Sequence, residues 1–449
     1  MLDIEKDNKK GHLYLEVYDY YKNLILEGKL ASGSKMPSLR KCSQELKLSR
    51  TTIENAYLQL AADGYIIAKA QSGYYVTDIA AHRHPDAKKI QETAPHYRFD
   101  FASSGVDRES FRFDLWSRYI KSALRQDERM LTYGEAQGEL DFRETLAVYI
   151  RERRNILCSP DDIVVGASVQ SLLQLLCPLI KSLYPEHRHQ TDEMPTVSFP
   201  TPSFVQGSTV FQDFGFDVRY RNKDSDVIYV SPAHMTKWGE IMPVSRRLEL
   251  LRYAEEHDSL VIEDDFENEF VYLQKPTPSL FGLSGGNGVV YIGSFSRLLL
   301  PSIRISFMVL PAPLLNAYKK KADCYNQTAS KAEQIALCQF IRDGHLAAQT
   351  RKLKRLYSVK LKELLHAVRE VFGKNSRIQI GSAGTSLALT LSVTPGEALK
   401  KQARVKGLRL QILRETDQDV TVLLSCSSMP AEDFVPACQV LKEAADSLM

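Results

Sequence analysis

At 449 residues the chain is long enough for two or three domains with sizeable cores. Its 44% hydrophobic and 25% charged composition is that of an ordinary globular protein, which sets aside disordered and fibrous classes. A formal charge of +3 is too small to mark the whole chain as a nucleic-acid binder, so such a role has to rest on local features. No apolar run approaches the roughly 18 residues of a membrane span, and the opening Met1-Leu2-Asp3-Ile4-Glu5-Lys6-Asp7 lacks the apolar stretch of a secretion signal. Seven scattered cysteines form no C-x-x-C pair. Reduced thiols, a cytoplasmic location and no membrane partner are therefore expected.

In chain order, Tyr14, Val17, Tyr18, Tyr21, Leu24 and Ile25 recur at helical spacing and define one apolar face. A second helix is expected from Leu39 to about Leu46, with Ser38 as N-cap and Leu39, Cys42 and Leu46 inward. A third starts after Ser49, carries Ile53, Ala56, Tyr57 and Leu60 on one face, and ends near Gly64. Two short strands follow, Tyr65 to Lys69 and Tyr74 to Thr77, around Gln71-Ser72-Gly73. Helix, helix-turn-helix and hairpin, in residues 12–77, is the order of a winged helix. Residues 78–97 are polar and apolar-poor, as a linker should be. From residue 98 to 449 strands and helices alternate. Apolar strands such as Leu260-Val261-Ile262 and Val289-Val290-Tyr291-Ile292 end in Glu263-Asp264-Asp265 and Gly293-Ser294. That pattern suits a parallel α/β sheet with its site at the strand C-termini.

The first unit carries the local chemistry of a DNA reader. Arg50, Thr51 and Thr52 fall in the first turn of the third helix, which a helix-turn-helix points at base edges. Arg40 and Lys47 can neutralise phosphates, and the helix start capped by Ser49 adds backbone donors. Glu54 repels phosphate but can accept from a cytosine amino group. Lys69 and the small Ser72-Gly73 tip suit a wing lying near a groove. Residues 35–69 hold Lys35, Arg40, Lys41, Lys47, Arg50 and Lys69 against Glu45, Glu54 and Asp63, a local excess that favours double-stranded DNA over a protein partner.

The segments Met36-Pro37-Ser38-Leu39-Arg40, Leu46 to Ile53, Gly64-Tyr65 and Gly73-Tyr74-Tyr75-Val76 closely resemble the GntR-type winged helix. By that resemblance Arg40, Arg50 and Thr51 to Glu54 would meet DNA. Further along, Tyr133 to Gly138 with Phe142-Arg143, Gly166 to Gln170, Ser231-Pro232-Ala233-His234, Glu263 to Phe266 and Gly293 to Arg297 with Pro301 and Arg304 resemble aminotransferase class I. The whole resembles the MocR subfamily of GntR regulators. The implied fold class is α/β: a winged helix-turn-helix plus a large fold-type-I domain of the pyridoxal 5'-phosphate (PLP) transferase kind, with a smaller C-terminal α+β lobe.

The resemblance places Asp264 where a carboxylate pairs with the pyridine nitrogen, and Arg304 where an arginine grips the cofactor phosphate. It places Tyr133 where a tyrosine reaches the phosphate from the other subunit. Val169, His234, Ser294 and Ser296 would complete the pocket. The departures are Arg297 for the Schiff-base lysine, Phe266 and Phe204 for pocket tyrosines, Ser168 for a phosphate-loop glycine, and no substrate-carboxylate arginine after Arg414. A guanidinium stays protonated and cannot form a Schiff base. Lys237 is the alternative amine the pocket border offers.

The expectation is thus a DNA-binding transcription regulator, not an enzyme. Its aminotransferase-like domain would serve dimerisation and effector sensing without covalent PLP, in a head-to-tail homodimer implied by the resemblance. Noncovalent PLP or another small anionic effector is a variant of this reading, and a PLP-dependent aminotransferase fused to a DNA module is its alternative. With no pyridinium present, the long Arg297 side chain is expected to lie within direct or one-water contact of the buried Asp264.

Overall fold

A computed structural model describes residues 13–70, 72–77, 97–103, 105–107, 109–183, 194–202, 204–236, 238–271, 277–381 and 384–448. Residues 78–96 of the sequence-predicted linker, Gln71 of the hairpin turn and Lys237 lie outside these described residues. The rest fall into two compact units, divided between residues 96 and 97.

In the first unit α1 spans Leu13–Leu26, α2 Leu39–Leu46 and α3 Arg50–Ala62, followed by β1 (Ile66–Lys69) and β2 (Gly73–Val76). The caps are those the sequence suggests. Ser38 Oγ accepts from the Lys41 N–H at 3.2 Å, and Ser49 Oγ accepts from the Thr52 N–H at 3.1 Å. Each satisfies a donor that a helix start leaves open. Lys47, at φ +53°, turns the chain out of α2. One core joins the elements: Val17, Tyr21 and Ile25 of α1, Cys42 of α2, Ile53, Ala56, Tyr57 and Leu60 of α3, and Ile66 and Val76 of the wing. At its centre Tyr57 meets Tyr21 and Tyr74 edge to face, at 5.6 and 5.4 Å between ring centroids.

The second unit opens with β3 (Phe99–Asp100) and is built on a seven-stranded sheet. Its strands are β4 (Ile163–Gly166), β5 (Thr196–Phe199), β6 (Asp217–Tyr220), β7 (Val227–Val230), β8 (Leu260–Asp264), β9 (Val289–Ser294) and β10 (Ser306–Val309). They lie in the order β4-β10-β9-β8-β7-β5-β6. Strands β5 to β9 run parallel, as expected, but β10 is antiparallel to both its neighbours, so the sheet is mixed. Side chains alternate between two buried layers. Val165, Val261, Val289 and Tyr291 face one, and Val164, Ile262, Ile292 and Met308 face the other. Burial on both faces is why these strands read as continuous apolar runs.

The C-terminal lobe holds an antiparallel sheet of β11 (Arg377–Gln379), β12 (Ser386–Leu391), β14 (Gln411–Glu415) and β15 (Val420–Ser425). Its order is β11-β12-β15-β14. Helices Gly396–Val405 and Phe434–Asp446 pack together in the same lobe, and the 28-residue helix His345–Phe372 packs along the latter. A short parallel pair ties β3 to β13 (Leu408–Arg409), so residues from 97 onward run with this lobe. Among the described residues no helix is long and apolar enough to cross a membrane.

Candidate DNA interface and ligand pocket

On the winged helix, Arg40, Arg50, Thr51 and Glu54 are exposed around the start of α3, and Lys69 and Gly73 are exposed on the wing. Ser49 and Thr52 are committed locally, since their hydroxyls bond each other at 2.7 Å inside the cap. They hold the helix start in place while Arg50 and Thr51 project from it. On the wing, Tyr75 lies beneath Lys69 and Lys35, whose ammonium nitrogens stand 4.6 and 5.8 Å from its ring centroid. Lys35 and Tyr75, absent from the sequence-predicted set, thus belong to the same charged edge.

In the second unit the ends of β7, β8 and β9 converge. Asp264, the last residue of β8, is buried, and its Oδ2 accepts from the Tyr229 hydroxyl of β7 at 2.5 Å. Burial lifts the Asp264 carboxyl to about 6, with the Tyr229 bond working the other way. Tyr229 stacks on Phe199 at 4.8 Å and meets Phe204 at 5.4 Å. The Ser294 and Ser296 hydroxyls bond each other, and Ser306 donates to Ser294 at 3.1 Å. Ser168 caps the helix Val169–Leu183 through reciprocal bonds with Ser171. The Ala167 N–H beside it donates to Thr328 Oγ1 at 2.9 Å.

A direct Arg297–Asp264 contact is not formed. Arg297 Nε instead donates to Glu267 Oε1 at 2.6 Å, while Nη1 reaches the Gly105 carbonyl at 3.1 Å and Nη2 the Thr385 hydroxyl at 3.0 Å. The reason lies in local geometry. Glu267, three residues past Asp264, takes a left-handed conformation at φ +54° that turns its carboxylate toward Arg297, while Tyr229 satisfies Asp264 from the neighbouring strand. His234 Nδ1 stands 3.6 Å from Glu267 Oε2 and makes no hydrogen bond among the described residues, and its ring meets Phe266 edge to face. Burial pushes the His234 imidazole below its usual value, with Glu267 opposing and Arg297 reinforcing the shift.

Two sequence-predicted residues stand apart. Tyr133 is fully exposed, and Arg304 is exposed at φ +52° with no ion pair among the described residues. Glu267, Thr385, Gly105 and Tyr229 were missed. The acidic run Glu263 to Glu267 hinted at the first of these; nothing in the local sequence marks the others. Among the described residues no group of three or more His, Cys, Asp or Glu is placed to hold a metal ion.

The fold and the two sites define a class: a DNA-binding winged helix joined to an aminotransferase-like domain. A family model described as "Bacterial regulatory proteins, gntR family" matches residues 13–76. Over 419 residues the chain is 33% identical to the HTH-type transcriptional regulator YdeL of Bacillus subtilis (strain 168), covering 89% of this chain and 88% of that one. It is 25% identical to the probable rhizopine catabolism regulatory protein MocR of Rhizobium meliloti, with 89% and 86% covered. Among solved structures it is similar to an archaeal alanine:glyoxylate aminotransferase at a TM-score of 0.69 and 18% identity, with 81% of this chain and 94% of that chain covered. It is likewise similar to the α-aminoadipate aminotransferase LysN of Thermus thermophilus, at a TM-score of 0.65 and 21% identity, with 78% and 92% covered. The chain belongs to the GntR/MocR type of helix-turn-helix transcription regulators.

Proposed function

We propose that this regulator reads double-stranded DNA through Arg40, Arg50, Thr51, Glu54 and the wing, and that its aminotransferase-like domain works as a dimerisation and effector-sensing module without a Schiff-base cofactor. The observation that carries the second half is the state of Arg297. The side chain three residues past the end of β9 is a guanidinium, which offers no nucleophilic amine, and it is engaged by Glu267, Gly105 and Thr385.

PLP is the group the fold implies, and the residues present do not fit its covalently held form. One of the two Asp264 carboxylate oxygens, Oδ2, is already held by Tyr229. The Ala167 and Ser168 N–H groups, which a phosphate at this helix start would need, are spent on Thr328 and Ser171. One observation favours a second version with a noncovalent anionic ligand, PLP included: the exposed guanidinium of Arg304, which has no ion pair among the described residues.

The test is the visible spectrum and native mass of the purified protein, followed by titration with PLP. A colourless protein with no borohydride-reducible band is expected. A yellow protein that bleaches on borohydride would overturn the reading in favour of a PLP enzyme.

A further inference from the structure

In the seam between the C-terminal lobe and the large sheet, just before β12, Gly381 and Gly384 bond to the backbone of the large-sheet side. The Gly381 N–H donates to the Trp238 carbonyl at 2.8 Å, and the Gly384 N–H donates to the Phe270 carbonyl at 3.1 Å. A side chain at either position would meet the opposite wall. A Cβ on Gly381 falls on the Gly239 carbonyl, and one on Gly384 comes within 2.9 Å of His234 Cε1. Next in line, the Thr385 hydroxyl accepts from Arg297 Nη2, and the Thr385 carbonyl accepts from the Cys426 N–H of the same lobe at 2.9 Å. The segment carrying Gly105 belongs to this side too, because Phe101 bonds to Arg409 and Ser425 through the backbone.

Arg297 is thus held unequally on its two sides. Toward the large sheet its Nε and its Nη2 both lie 2.6 Å from one carboxylate oxygen of Glu267, with side chains 11% and 4% exposed. Toward the C-terminal lobe it has two neutral acceptors, a carbonyl and a hydroxyl. All three bonds have a charged donor, but only the Glu267 contact adds the attraction of opposite charges, so the clasps to the lobe open first while the anchor holds. The planar fork lets one side chain face all three acceptors together.

We propose that Arg297 is a latch, anchored to the large sheet through Glu267, whose Nη groups hold the C-terminal lobe shut through Gly105 and Thr385. It rests on the reading that Arg297 bears no cofactor. In that case the lobe is kept closed by the chain's own side chains, and displacement of the guanidinium edge is what opens it.

Hydrogen exchange on the full-length protein tests the latch. Arg297→Ala and Thr385→Val are expected to quicken exchange in residues 99–103 and 384–388 by roughly tenfold or more, about the opening factor that one charge-assisted bond supplies. Thr385→Ser, which keeps the hydroxyl, should restore the slow rate, and residues 13–76 and strands β7 and β8 should not change. Unchanged seam exchange in Thr385→Val, or an even rise through the whole unit in Arg297→Ala, overturns the latch. A borohydride-reducible band in the wild-type protein would instead end the reading beneath it, so the two failures are told apart.

Discussion

Glu267 keeps a backbone conformation that a residue with a Cβ enters at a cost of about 1 kcal/mol, at φ +54°, and it does so facing Arg297. The strain and the ion pair can be separated by substitution. Glu267→Ala loses the carboxylate and keeps the strain, leaving a buried cation without a facing carboxylate from Glu267, at an expected cost of about 3 kcal/mol in urea unfolding. Glu267→Gly loses the same carboxylate but relieves the strain, so it should be more stable than Glu267→Ala by about 1 kcal/mol. Equal stabilities would mean that the left-handed turn is not strained. His234 adds a pH dependence. Its folded-state pKa lies below the 6.5 of a free imidazole, so below pH 6.5 the unfolded chain takes up a proton that the folded chain does not. Stability from this residue is present above that pH and is lost as pH falls toward the depressed value. Asp264, lifted to about 6, contributes the opposite slope, losing stability as pH rises from about 4 to 6. His234→Gln removes only the first, so the loss of stability from pH 6.5 downward should be shallower than in wild type.

At the scale of the element, α3 and the wing divide their labour. Arg50 stands at a helix start that the Ser49 cap fixes, whereas Lys69, at the end of β1, lies over the Tyr75 ring. Arg50→Ala should reduce binding to a preferred DNA site by about 1–3 kcal/mol and blunt its preference over other sequences. Lys69→Ala should weaken all duplexes alike and lower the slope of log affinity against log salt by about one. Similar behaviour in the two variants would mean that the recognition helix makes only phosphate contacts. These elements were legible in the chain because caps, apolar spacing and the Gly73 turn all act within a few residues. The pocket was legible only in part. Asp264, Phe204, His234 and Arg297 do gather near the ends of the central strands, but their partners come from afar: Tyr229 from the adjacent strand, Thr385 from 88 residues downstream and Gly105 from 192 upstream. Such pairings depend on how strands are ordered and lobes docked, and a linear pattern holds no record of that. The expectation of a direct Arg297–Asp264 contact failed for this reason. It matched a long cation to a buried acid by proximity along the sheet, while a strained turn three residues on supplied a nearer carboxylate.

For the whole molecule, the exposed apolar residues near the start of the second unit set the question. Tyr133 is fully exposed and Leu131 is 86% exposed, while neighbouring Arg129 is drawn in by Glu139 and Asp141. Two large apolar side chains projecting from an ion-paired base are costly to leave in water and suit a surface covered by a second copy. If that copy is present, the native mass should be twice the 50.8 kDa of one chain, and Leu131→Asp with Tyr133→Asp should shift it toward the monomer. The DNA consequence follows from geometry. A dimer presents two recognition helices and gains from two half-sites on one duplex through their effective concentration. The double variant should therefore lose affinity for paired half-sites by roughly tenfold or more while binding a lone half-site as the wild type does. Equal loss on both DNAs would place the damage in the winged helix itself, and no loss on either would show that the exposed pair faces water by design, with the two DNA-reading units acting alone.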